Sequence, residues 1–224
     1  MSSRPLTLAL LGFAALGAAV LGAYVHERLN ASPGRAADAV PIHDAAPSPA
    51  EIRIPELRPV FVLADLDGHR HSITEWDGKA LVVNFWATWC APCRREIPLL
   101  NRIQHEYSPK GFEVVGIAVD FVKDVRDFRA KIPLDYPLLV GEQDGLDAAE
   151  AFGVATVAFP FTAFTDNHGR VLAVHMGELH EAEARAILGV AGRVNAGALT
   201  PAAARDAIRA ALAALPLPGP ASGP

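Results

Sequence analysis

Apolar and polar residues alternate with different periods along this chain, and each period predicts an element. Leu6 to Val25 (LTLALLGFAALGAAVLGAYV) is an uncharged run of 20 residues. As a helix it spans about 30 Å, the hydrocarbon thickness of a bilayer. Asn30 to Pro49 is rich in Ala, Pro, Ser and Asp and reads as an exposed linker. Beyond it PVFVLADLDGHRHSI (Pro59 to Ile73) places alternating apolar residues around Asp67-Gly68, which predicts a β-hairpin. ALVVNFW (Ala80 to Trp86) and FEVVGIAV (Phe112 to Val119) are near-continuous apolar, β-branched runs, the pattern of strands buried on both faces of a parallel sheet. A helix-sized segment from Pro92 to Tyr107 separates them, so a right-handed βαβ unit is expected. Helices over Lys123 to Lys131 and Asp144 to Phe152 flank a short strand at Leu138 to Val140. FTAFTD, the turn Asn167-His168-Gly169 and RVLAVHM predict a second hairpin, followed by a helix over Leu179 to Val190. Thr200 as N-cap and Pro201 at the first helical position open an Ala-rich helix with Ile208, Leu212 and Leu215 on one face. The tail PLPGPASGP is too rich in Pro and Gly to pack. No internal repeat is present.

The pattern divides the chain into a membrane anchor (1–28), a linker (29–55), one globular domain (56–192) and a helical extension with a disordered tail (193–224). A length of 224 residues suits one domain with appendages. The apolar run at the N-terminus is longer than the roughly 7 to 15 residues of a cleavable signal and has no clear small-x-small site, which favours an uncleaved anchor over a signal peptide. The linker behind it argues against a buried core helix. Arg4 and the terminal amine favour a cytoplasmic N-terminus, while Arg28 and Arg35 on the other side weaken the charge rule, so orientation leans on the chemistry below. A net charge of −5, from 25 acids and 20 bases, offers no broad basic surface for phosphates and excludes a nucleic-acid partner. Two cysteines cannot build a disulfide-dense scaffold or a four-cysteine zinc site within one chain.

Those two cysteines stand in WATWCAPCRREIP, where the first buried strand ends and a helix begins. Cys90 and Cys93 share the first helical turn, with Cα atoms roughly 5 to 6 Å apart, within disulfide range. They can form and break a bond with little backbone movement. Unpaired backbone N–H groups and the positive end of the helix dipole stabilise a thiolate there, and Arg94 and Arg95 act in the same direction. Cys90, further out and preceded by Trp89, is expected to be the exposed nucleophile, with Cys93 resolving the mixed disulfide. Pro92 between them suits a helix start. No histidine lies between the cysteines to stabilise a strongly oxidising thiolate, so the pair is expected to act as a reductant.

A strand, W-C-x-P-C, a helix carrying Pro98, and a hairpin preceded by the lone Pro160 resemble the thioredoxin superfamily. The apolar N-terminus, the opening hairpin, the wording NFWATWCAPCRREIP and the extra strand and helix before Pro160 resemble its TlpA/ResA branch, which includes the DsbE type. The resemblance covers about Glu56 to Val190. It implies an α/β thioredoxin fold with an N-terminal β-hairpin and a central strand-helix insertion, preceded by one transmembrane helix. It further implies an extracytoplasmic thiol-disulfide oxidoreductase held to the bacterial inner membrane, facing the periplasm, with no cofactor beyond the redox-active Cys90–Cys93 disulfide. Pro160 is expected to follow a cis peptide bond and to wall the substrate site, and Glu96 occupies the place of the acid with which the branch tunes its cysteines. The expected site is therefore Cys90, Cys93 and Glu96 for the chemistry, and Trp89, Ala91, Pro92, Phe159 and Pro160 around the substrate. Two departures stand out: Asn84 replaces the buried aspartate of thioredoxin proper, and Phe159 and Phe161 flank Pro160. The stretch from Val154 to Pro160 also reads as two residues longer than the family's.

Blander readings stand beside these. A CxxC can be half a zinc site, but there is no second cysteine pair and the eight histidines are scattered. His69 and His71 share one face of the first hairpin and read as solvated, since two ligands make no closed site. Trp86 reads as structural, and Trp89 as either structural or substrate-binding. Glu96 can pair with Arg95 as a surface residue, and Asp120 reads as a helix N-cap. Two further function classes are a copper-delivering or copper-site-reducing module, with His175 near the two thiolates, and a non-catalytic anchored interaction domain with a structural disulfide. A dithiol kept reduced in an oxidising compartment needs electrons from elsewhere, so the expected partners are a DsbD-like transmembrane electron donor and disulfide-bearing protein substrates. Apocytochrome c leads among these, and copper-site proteins follow.

Overall fold

A computed structural model describes residues 54–154 and 158–216, together with His26. Among the described residues seven strands are formed: β1 (Val62–Ala64), β2 (Arg70–Ser72), β3 (Ala80–Trp86), β4 (Phe112–Ala118), β5 (Leu138–Val140), β6 (Phe161–Thr165) and β7 (Val171–Met176). The helices are α1 (Ala91–Tyr107), α2 (Val122–Arg129), α3 (Gln143–Ala151), α4 (Glu181–Asn195) and α5 (Pro201–Ala213). The strands make one sheet in the order β2-β1-β5-β4-β3-β6-β7. β3, β4 and β5 run parallel, whereas β6 lies antiparallel to β3 and β7 to β6. The first hairpin joins through a single pair, Ala64 with Val140, so β5 bridges it to the central sheet. This is the expected thioredoxin-like arrangement with its added hairpin and inserted β5–α3.

Every residue of β3 and β4 is buried, as their unbroken apolar runs predict. Alternation divides β3 between two faces. Val82 and Trp86 join Leu100 and Ile103 of α1, Ile187 and Leu188 of α4 and Ile208 of α5. Leu81, Val83 and Phe85 join Ile73, Ala148, Phe152 and Phe161 on the opposite face, where Phe85 stacks on Phe161 with centroids 4.5 Å apart. Each such side chain stabilises the fold by roughly 1.5–3 kcal/mol on burial.

α4 runs to Asn195, past the expected end at Val190 and the expected domain edge at 192, because Ala191 and Val194 continue its buried face. α5 begins at the expected cap: Ala203 N–H donates to Thr200 Oγ1 at 3.3 Å. It packs on α4 and β7 with Ala204 and Ile208 buried, so this extension contributes to the domain core. No helix among the described residues is long and apolar enough to cross a membrane. The expected span Leu6 to Val25, the linker Asn30 to Pro49 and the tail from 217 onward lie outside the described residues, as do 155–157 in the stretch before Pro160.

Candidate active site

The loop from β3 to α1 is held by the connection that follows the neighbouring strand β4. Thr88 donates from its N–H (2.9 Å) and its hydroxyl (2.6 Å) to Asp120 Oδ2, and Phe121 N–H donates to Asp120 Oδ1 at 2.9 Å. Asp120 is therefore not the N-cap of α2 expected from the sequence; Phe121 holds that place with no side-chain cap bond. The carboxylate is drawn across the parallel pair to the cysteine loop, where two donors meet it. Cys90 is the N-cap of α1, with Pro92 in the first turn, and Cys93 N–H donates to Cys90 Sγ at 3.2 Å. The two cysteines form a disulfide with Cα atoms 5.3 Å apart. Cys90 is only 5% exposed and Cys93 fully buried. Their order is the expected one, but the outer sulfur is more covered than expected because it folds over the first turn to meet both the Cys93 N–H and its sulfur.

Exposure at this rim belongs instead to Trp89, which is 67% accessible, and to Phe121 and Val122 after β4. The Trp89 ring meets Phe159 edge-on, with centroids 6.2 Å apart. The Phe159–Pro160 peptide is cis, as the resemblance implies, and Pro160 O accepts from Gly177 N–H at 2.9 Å. Two segments distant in sequence thus lie side by side. Ala91 is exposed and Pro92 half-buried next to them.

Glu96 is not the surface residue that its arginine neighbours allow. It is 1% exposed and shares the buried stripe Cys93, Glu96, Ile97, Leu100 at helical spacing. Its Oε1 accepts from Asn84 Nδ2 at 2.7 Å, its Oε2 from Leu179 N–H at 2.7 Å, and Asn84 Nδ2 also reaches Thr162 Oγ1 at 3.0 Å. Burial pushes the carboxyl up to about 7, the two N–H donors hold it back, and the nearby Glu178 charge adds to the rise. Arg95 pairs with Glu178 (Nε to Oε2, 2.9 Å) rather than with Glu96. The loop carrying Leu179 is thereby tied to α1 twice. Asn84 stands out in the sequence as the one polar residue of an apolar strand; Thr162, Leu179 and Glu178 carry no local signal, since they meet Glu96 only through the fold.

The remaining candidates lie elsewhere. His71 sits between Glu75 (2.8 Å) and Asp65 (3.2 Å); its hydrogen bonds to these two carboxylates, and then their charges, raise its pKa, so it is paired rather than simply solvated. Among the described residues the cluster able to hold a metal is Asp65, Asp67 and His69, and the cysteines are outside it. Asp65 Oδ1 is engaged there by the Asp67 and His69 N–H groups, as a turn requires. His175 faces Glu178 O at 3.3 Å.

The AhpC/TSA family profile matches residues 55–174. The thiol-disulfide oxidoreductase ResA of Geobacillus thermodenitrificans is 35% identical over 122 residues, 54% of this chain and 68% of that protein. The thioredoxin-like protein YneN of Bacillus subtilis is 33% identical over 131 residues, 56% of this chain and 72% of that one. Among solved structures, a protein assigned as the thiol:disulfide interchange protein DsbE of Chlorobium tepidum superposes with a TM-score of 0.56 at 28% identity, covering 63% of this chain and 99% of its own. A thioredoxin-family thiol:disulfide interchange protein of Chlorobium tepidum gives 0.51 at 27% identity, over 70% and 97%. With a disulfide at the head of α1 in a thioredoxin-like sheet and these relatives beside it, the chain belongs to the AhpC/TSA family and is a thiol-disulfide oxidoreductase of the ResA/DsbE type.

Proposed function

We propose that the chain reduces disulfides of protein substrates, with Cys90 as nucleophile, Cys93 as resolving thiol and Glu96 as the buried proton-holding carboxyl. The observation that carries this is Glu96 itself: a buried acid one turn beyond Cys93 on the same stripe, poised near neutrality at about 7. In the reduced protein the Cys90 thiolate, favoured at the N-cap of α1, attacks a substrate sulfur. The substrate S–S bond breaks, the leaving thiolate takes up a proton, and a mixed disulfide forms. Cys93 then loses its proton toward the Glu96 carboxylate and attacks Cys90 Sγ, releasing the second substrate thiol and closing the Cys90–Cys93 bond. Two electrons have passed to the substrate, and a dithiol donor must return them. Asn84 and Leu179 N–H fix both carboxyl oxygens in place meanwhile.

The exposed Trp89 and the adjoining Ala91, Pro92, Phe159 and Pro160 form the bed for the substrate segment. The uncharged run Leu6 to Val25 supports anchoring in the bacterial inner membrane with the domain in the periplasm, where an electron donor of the DsbD type fits the need for reducing equivalents. Apocytochrome c haem-site cysteines are the substrates that best fit this setting, ahead of copper-site cysteines. The test is trapping: Cys93→Ser expressed in membranes should accumulate mixed disulfides through Cys90 with cysteine-bearing extracytoplasmic proteins. Absence of any adduct, with Cys90 still reactive toward small thiol probes, would refute the reading.

A further inference from the structure

Tyr136, just before β5, is 4% exposed, and its hydroxyl has no hydrogen-bond partner among the described residues. A buried phenol left unpaired is costly, so its surroundings matter. The ring is seated on β4 at Gly116: a Cβ there would lie 2.7 Å from Tyr136 Cε2 and 3.4 Å from Cδ2. The hydroxyl-bearing end of the ring is thus the part that reaches over the strand. Gly116 is the register partner of Asn84 on β3, and its even-numbered neighbours Val114 and Ala118 share the α1-side core with Val82 and Trp86. Asn84 in turn holds Glu96 at 2.7 Å. A glycine amid the β-branched residues of β4 has its reason here, since only a missing side chain admits the phenol beside this pair. The Glu96 charge also opposes ionisation of Tyr136, second only to burial.

We propose that Tyr136 is a positioning residue of the reductase site, its hydroxyl donating through one internal water to the Glu96 carboxylate. This rests on the reading of Glu96 as the group that holds the proton during exchange. A donor to the ionised carboxylate favours that form, so the phenol keeps the carboxyl from being driven further above neutrality. The other groups linked to the pair are Glu178 with its partner Arg95, the Cys90–Cys93 pair at the head of α1, and Asp135, which acts on Tyr136 and is itself bound to His105. β3, β4 and β6 contribute Asn84, Gly116 and Thr162, none of which titrates.

The experiment uses the full chain in detergent with glutamate carboxyls labelled with carbon-13, and Glu96→Gln to identify the Glu96 signal. In the oxidised protein, Tyr136→Phe keeps the ring and removes only the hydroxyl. It should raise the Glu96 midpoint by roughly one pH unit. The pH profile of protein-disulfide reduction should move the same way, and Tyr136→Phe should leave it unmoved in the Glu96→Gln background. A midpoint unchanged by Tyr136→Phe in a protein with an unaltered unfolding temperature overturns the inference, as does an equal shift of the profile without Glu96. If Glu96→Gln by itself leaves the profile unaltered, the role of Glu96 in exchange fails, while the carbon-13 midpoint still decides whether the phenol acts on it.

Discussion

Replacing Glu96 with Gln probes the buried carboxyl through stability alone, with no substrate present. In the wild type the carboxyl sits at about 7, against its ordinary 4.5. The native state therefore binds this proton more tightly than the unfolded chain does. Its contribution to stability is whole below about pH 4.5, fades as pH rises, and is gone above about pH 7, by which point the fold carries a buried charge; the span is worth about 3 kcal/mol. Gln has no charge to bury, so the variant lacks this pH dependence. It carries a fixed penalty instead, because its amide presents N–H to one of two donors, Asn84 Nδ2 or Leu179 N–H, and a buried donor without an acceptor costs about 1–3 kcal/mol. The variant is thus less stable than the wild type near pH 4.5 and draws level with or passes it near pH 8. The fixed penalty cancels in the comparison, leaving a change of about 3 kcal/mol in the variant's favour across that range. Urea unfolding of both oxidised proteins, followed by tryptophan fluorescence at a series of pH values, reads it directly. A difference that stays constant from pH 4.5 to 8 would show that the carboxyl is not held near neutrality.

Trp89→Ala should leave the unfolding free energy within about 0.5 kcal/mol, since the ring is 67% exposed, while lowering kcat/KM for a protein disulfide about tenfold; an equal loss with a small-molecule disulfide would place its effect on the cysteines instead. Asp120→Ala strips the acceptor from Thr88 and Phe121 N–H groups and should cost about 1–3 kcal/mol in urea unfolding with an unchanged m-value. No measurable cost would mean that the cysteine loop is held by packing alone.

Much of the fold is legible in the sequence where the signal is local. Unbroken apolar runs mark β3 and β4, the Asp-Gly and Asn-His-Gly turns mark both hairpins, and Thr200-Pro201 marks the start of α5. The pairing of Ala64 with Val140, which joins the first hairpin to the sheet, is not written in either segment, because a strand of three residues has no register of its own. The site divides in the same way. Cys90 and Cys93 are plain from their spacing and their place at a helix start, and the cis peptide before Pro160 follows from the resemblance. Glu96 sits among Arg94, Arg95 and Pro98, where charge density points to solvent; only the spacing Cys93, Glu96, Ile97, Leu100 hints that it turns inward. Its partners come from β3 and from the loop after β7, 12 and 83 residues away. Asp120 hides its role for the same reason: a short polar side chain before a helix reads as a cap, and only tertiary structure shows Thr88 claiming it.

The reductase assignment stands or falls most directly on the reduction potential of the Cys90–Cys93 couple, measured by equilibration of the full chain with dithiol buffers at pH 7. A value near or below about −200 mV is predicted, whereas one near about −120 mV, the level of a strong periplasmic oxidant, would contradict it.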